Sequence, residues 1–159
     1  MPELVVGTLI AKPRAEVWKQ LRDLLVARHY VPGVTAIEYN SPQREGVGAS
    51  RKVYMKKRAP VDETAVVWED GRGFTLKIHN GDKAPSPFKW ATFKYEITDA
   101  PGAQTAVRLE FAYEMALGVF GRVLDKLVIR PSIERTNATV AANMKKFYET
   151  GAASNAVDG

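Results

Sequence analysis

The 159-residue chain contains no cysteine. That absence excludes disulfide bridges, iron–sulfur clusters, thiolate zinc sites and a cysteine nucleophile, and it leaves the redox compartment unmarked. Histidine is nearly as scarce, being limited to His29 and His79. Neither has a partner at metal-ligand spacing, so no metal site is expected. No apolar run approaches the ~20 residues of a membrane span, and Leu4-Val5-Val6 has no basic segment before it. The expectation is a soluble, unexported, cytoplasmic protein with no stable membrane insertion. Gly46-Val47-Gly48 precedes a strand-like segment, so it lacks the helix N-terminus that phosphate binding needs, and no serine-hydrolase elbow occurs. No cofactor is expected.

A hydrophobic content of 45% in 159 residues is enough for one self-sufficient core. We expect a single domain over residues 1–150 and a flexible tail over 151–159, where small and polar residues dominate. The formal charge of +5 is compatible with an anionic partner. Its one dense basic run, Lys56-Lys57-Arg58, falls between two strand-like segments and reads first as a solvated hairpin tip and second as an anion-docking tip. No nucleic-acid partner is expected. An exposed sheet edge is compatible with either a monomer or a homodimer.

Leu4 to Ile10 has strand character and ends before Pro13, a residue suited to opening a helix. Val17, Trp18, Leu21, Leu24 and Leu25 then recur at helical spacing and predict a helix over Arg14 to Ala27. Between Thr35 and Met115 the pattern alternates every second residue, predicting six strands at about 35–40, 48–56, 61–70, 73–80, 88–98 and 105–115. After Ala116 helical spacing returns as Phe120, Val123, Leu124, Leu127 and Val128, and beyond Pro131 as Ile133, Asn137, Val140, Met144 and Phe147. Pro131 should kink or restart this long helix. The fold class is therefore α+β. A curved seven-stranded antiparallel sheet can bury its apolar face only if the C-terminal helix lies across it, and the gap left between them is the natural pocket for a small hydrophobic ligand.

Alternation places Leu76, Ile78, Phe93 and Phe111 on the pocket wall, with Val140 and Met144 facing them from the helix. Tyr95 and Tyr113 would bring hydroxyls among these hydrocarbons, and each hydroxyl needs a partner, either a ligand to which it serves as hydrogen-bonder or general acid or, more commonly, a backbone carbonyl. Asn137 interrupts the helical apolar stripe, as a pocket contact or as a residue tolerated near the Pro131 bend. Arg51 shares parity with Val53 and Met55, and Glu63 with Ala65 and Val67, so the two could meet across a hairpin. Such a pair would orient a ligand oxygen or steer proton transfer, with Glu63 and Arg51 as the candidate catalytic groups, or it would simply complete the wall as an ion pair. His29, Tyr30 and Pro32 are placed at the pocket rim, and His79 on the wet face.

Ala15-Glu16-Val17-Trp18, Tyr30-Val31-Pro32-Gly33-Val34 and Gly46-Val47-Gly48-Ala49-Ser50-Arg51 are one part of a resemblance. Glu63 to Asp70, Leu117 to Pro131 and Asn143-Met144-Lys145-Lys146-Phe147 are the other. In this order the chain resembles the SRPBCC superfamily (START and Bet v 1-like domains), in particular its bacterial polyketide cyclase/dehydrase and lipid-transport-like group. The resemblance covers nearly the whole chain. It implies a helix-grip fold, with one or two short helices between the first two strands and the sheet wrapped round the last helix. It also implies binding, with or without transport, of a lipid, isoprenoid, aromatic or polyketide. Two alternatives stand beside this: a cyclase/dehydratase using polar cavity residues without metal or nucleotide, and a protein-interaction module related to quinone-binding proteins.

Overall fold

A computed structural model describes residues 3–155 of the chain. Strand β1 (Glu3–Ile10) leads through Pro13 into α1 (Arg14–Leu21), and a 3₁₀ turn (Val26–His29) precedes the sheet. The six following strands are β2 (Val34–Tyr39), β3 (Ser50–Met55), β4 (Val61–Glu69), β5 (Gly73–His79), β6 (Phe88–Ala100) and β7 (Gln104–Met115). Helix α2 (Gly118–Leu124) runs through a π turn (Asp125–Ile129) into α3 (Arg130–Thr150). All neighbouring strands pair antiparallel in the order β1-β7-β6-β5-β4-β3-β2, so β1 and β2 are the two edges.

Helix α3 is held from both edges. On one side the Lys145 ammonium donates to the Leu9 carbonyl at 2.6 Å, and the Ala11 N–H donates to Glu149 at 2.9 Å. On the other side the Asn143 amide donates to the Tyr30 carbonyl at 3.0 Å, and Phe147 stacks on His29 with ring centroids 4.8 Å apart. The sheet thus grips the helix, as the alternation and the closing helical stripe imply.

Several local expectations are corrected. The first helix stops at Leu21 instead of reaching Ala27, because Asp23 interrupts it: its carboxylate accepts the Leu25 N–H at 3.0 Å and the Tyr39 hydroxyl at 3.1 Å. Parity on β4 breaks at a bulge between Ala65 and Val67, which turns Val67 outward and lets Trp68 stack on Phe74 at 5.2 Å. The helix does not break at Pro131 but widens into a π turn just before it, which accommodates the missing Pro131 N–H while the chain stays helical. Most of the stripe upstream of Pro131 faces solvent: Phe120, Val123, Leu127 and Val128 are all exposed. Ser154 and Asn155, expected in a frayed tail, are tied to the first connection, their N–H groups facing the His29 carbonyl and the Asn155 amide donating to Arg28 and Val31 carbonyls. The rest of that expected tail, 156–159, lies outside the described residues.

Gly73 opens β5 with φ at +141°, and a Cβ there would lie 1.9 Å from the Tyr95 carbonyl oxygen. Both the backbone angle and the contact exclude a side chain. Gly73→Ala should therefore destabilise the fold by more than about 1 kcal/mol, read as a lower urea midpoint at unchanged slope. An unaltered midpoint would show that β5 and β6 do not approach this closely.

Candidate functional site

The β3–β4 register sets Arg51 opposite Glu63, and the β4–β5 register sets Glu63 opposite Ile78. The expected pairing is present. Arg51 Nε and Nη2 both donate to Glu63 Oε2, at 2.7 and 2.6 Å, and Nη1 donates to the Leu24 carbonyl. Arg51 is only 4% exposed. Burial works against its charge, but the Glu63 carboxylate and the neighbouring Tyr95 and Tyr30 hydroxyls outweigh it and hold the guanidinium pKa above its ordinary value. Three donor atoms are committed to protein acceptors, so Arg51 is largely occupied by the wall itself. Glu63 uses Oε2 for both contacts, and its Oε1 makes no hydrogen bond among the described residues.

Tyr30 and Tyr95 neighbour Arg51, and Tyr148 lies beside Tyr30. Burial first, then the neighbouring hydroxyls, pushes the Tyr30 pKa well up; burial does the same for Tyr148, and for Tyr95 against the opposing pull of Arg51. The Tyr30 and Tyr148 hydroxyls lie 3.5 Å apart. Tyr30, expected at the rim, is fully buried instead, because the 3₁₀ turn directs it under α3. Only His29 and Pro32 of the expected rim keep partial exposure. Tyr148 was not anticipated. It continues the stripe of Val140 and Met144 by one more turn, a signal that favouring Phe147 concealed.

The wall residues do not form one pocket. Leu76, Tyr95, Val140 and Met144 belong to a continuous core with Trp18, Phe74, Tyr30 and Tyr148, and these large aromatics fill the space beneath the C-terminal half of α3. Phe111 and Tyr113 belong to a second, smaller cluster with Leu4 and Ala91, against which Ile78, Phe88, Met115, Ile129 and Ile133 are only half-buried. Phe93 touches both clusters. Two clefts stand out, and neither lies inside the grip. One of about 160 Å³ is a groove where Gly73 leaves room among Thr75, Lys94 and Glu96, and one of about 400 Å³ is an open dish between Lys19, Tyr39 and Arg44. The two clefts therefore do not supply the expected gap between sheet and helix, and the side chains around the second cluster are the less completely buried end of the expected wall.

Two polar side chains mark that end. Asn137 is 4% exposed, and its amide nitrogen has no hydrogen-bond partner. It sits on α3 between Ile133 of the second cluster and Val140 of the first. The Tyr113 hydroxyl donates to Asp125, which Arg130 also contacts at 3.1 Å, so its partner is a carboxylate where a carbonyl was expected. Asp125 was missed as a site residue. Its signal is the spacing of four from Gly121, where a Cβ would lie 2.0 Å from the Ala116 carbonyl: this is the close-packed face of the helix. On the outer face His79 Nε2 lies 2.7 Å from the Thr64 hydroxyl, and its Nδ1 lies 2.9 Å from the Gly81 carbonyl.

Burial, then the hydrogen bond and charge of Asp125, pushes the Tyr113 pKa up to about 12. A tyrosine raised in the folded state contributes stability that is whole below its ordinary value of 10.0 and is lost as pH climbs toward about 12. Urea midpoints should therefore fall across that window, in part through Tyr30, Tyr95 and Tyr148. Tyr113→Phe should cost about 2 kcal/mol at neutral pH and make the alkaline fall shallower. Parallel pH profiles for the two proteins would remove Tyr113 from the account.

No curated protein matches the chain. Solved structures resemble it over nearly its whole length: a Thermus thermophilus protein at 18% identity and TM-score 0.71, covering 92% of this chain and 97% of that one. Another is Ara h 8.0201, at 14% identity and TM-score 0.67, covering 92% and 97%. A Streptomyces aromatase/cyclase matches at 14% identity and TM-score 0.65, covering 94% and 97%. At such identities these likenesses establish the helix-grip fold. The sequence itself matches the family described as polyketide cyclase/dehydrase and lipid transport over residues 1–149, and the chain belongs to that family.

Proposed function

We propose that the protein binds one small, largely apolar molecule at the loosely covered end of the grip, and that Asn137 donates to the molecule's principal polar group. The observation that carries this reading is the buried Asn137 amide without a partner. An unmet buried donor costs about 1–3 kcal/mol, and a ligand carbonyl or hydroxyl oxygen would relieve that cost. The half-buried Ile78, Phe88, Met115, Ile129 and Ile133 supply the apolar surroundings. A ligand with a hydrocarbon or aromatic body and an acceptor oxygen suits this lining, whether a lipid, an isoprenoid or a polyketide. Binding, with transport as one use of it, fits the commitment of Arg51 to protein acceptors.

Native mass spectrometry of the purified protein should reveal a copurifying molecule of this class. Asn137→Leu should act in opposite directions on the two states, raising the melting temperature of the unliganded protein and weakening affinity for Nile red about tenfold. Weaker stability together with unchanged dye affinity would sink the assignment of Asn137.

The uncommitted Glu63 Oε1 favours a second reading, a cyclase/dehydratase in which Glu63 takes a proton from an apolar polyketone. Glu63→Gln should then abolish turnover of the copurified molecule while leaving its binding intact, and an unchanged rate would remove Glu63 as the base. In either case loss of the Arg51 partner should destabilise the fold by about 3–5 kcal/mol, which denaturation would report.

A further inference from the structure

The segment from Leu117 to Val128 exposes six large apolar side chains. Phe120 is 85% exposed and Leu127 70%, with Leu117, Val119, Val123 and Val128 all more than half exposed. Single exposed apolar residues are ordinary, but six within about three helical turns form a patch that needs an explanation. The inward face of the same segment is already used: Gly121 and Asp125 are buried against β7, so the helix cannot roll to hide its stripe without breaking the Tyr113–Asp125 contact. Alongside the stripe, Arg122, Lys126 and Arg130 recur every fourth residue, and all three are exposed. The one acid between them, Asp125, is turned inward, bound to Tyr113 and paired with Arg130, which leaves Arg122 and Lys126 as the outward basic pair.

We infer that this segment is a docking helix for an anionic lipid bilayer, lying in the plane of the interface with Phe120, Val123 and Leu127 inserted and Arg122 and Lys126 at the headgroups. An apolar stripe flanked by basic side chains is the pattern of interfacial helices, and the net charge of +5 acts in the same direction. A second copy of the chain fits less well, because an antiparallel two-fold contact through the stripe would set the two basic rows side by side. No helix among the described residues is long and apolar enough to cross a membrane, in keeping with a helix that rests on the surface. The docked segment runs directly into Ile129 and Ile133 at the loosely covered end of the grip, which would open toward the lipid. Docking itself is independent of any bound molecule, so its test stands apart from that of the pocket.

The test is cosedimentation with vesicles of phosphatidylcholine alone and with about a third phosphatidylglycerol. The full chain should partition onto the anionic vesicles, weakly onto neutral ones, and be released by salt. Phe120→Ser combined with Leu127→Ser should lower partition at least about tenfold with the melting temperature maintained, since both side chains are exposed. Arg122→Gln combined with Lys126→Gln should lower it on the order of twentyfold on anionic vesicles and little on neutral ones. No partition onto either vesicle, or equal partition onto both, overturns the inference. A dimer by light scattering that becomes a monomer in the Phe120→Ser, Leu127→Ser protein would overturn it too, assigning the patch to a second copy.

Discussion

The π turn from Asp125 to Ile129 governs how the C-terminal helix meets the rest of the molecule. One turn at π pitch takes a residue more than an α turn, so the two apolar stripes on either side are displaced by roughly a quarter turn. The downstream stripe, with Val140, Met144 and Tyr148, therefore faces the sheet. The upstream stripe, with Phe120 and Leu127, does not. In a straight α-helix the Gly121 and Asp125 face would lie about a quarter turn from that of Val140, Met144 and Tyr148, and the Tyr113 hydroxyl would lose its partner. The burial of Asp125 in line with the downstream face follows from that one backbone irregularity, which the missing N–H of Pro131 favours.

The same geometry explains the uneven packing under the helix. The C-terminal half of α3 is drawn onto the sheet by bonds from Lys145, Asn143 and Glu149 to both edges, and large aromatic rings fill the space beneath it. Toward the π turn the helix is fixed mainly through Asp125, and the apolar residues around it stay half-buried. A helix clamped at one end and latched at the other gives one solid half and one loosely covered half. The solid half stabilises the fold, and the loose half is where a guest would sit.

The sheet was legible because alternation reports which residues share a face, and each of the six strands after α1 lies within about two residues of its expected place. The Arg51–Glu63 pair was legible for the same reason, since parity plus one hairpin determines who sits opposite whom. What periodicity does not report is which way a face points. The stripe of Phe120, Val123 and Leu127 has helical spacing whether it meets a sheet or solvent, and here it lies opposite the buried Gly121 and Asp125. Likewise Val67 keeps its parity on paper, and the bulge after Ala65 reverses it in space. The early end of α1 depended on the Asp23 carboxylate competing for N–H groups, a local choice that an apolar stripe masks.

Two kinds of buried polar group separate structure from function here. Arg51 is buried with its charge matched by Glu63 and a further bond to the Leu24 carbonyl; breaking such a pair is costly while the intact pair adds little net stability. Its value to the fold is that it specifies how β3, β4 and the first connection fit together. Asn137 is buried to the same degree without a partner for its amide, so it costs stability and specifies nothing within the chain. A residue that lowers stability without organising its surroundings is best understood through something outside the chain. Its position at the seam between the filled core and the half-covered cluster is the reason the proposed guest is assigned to that end.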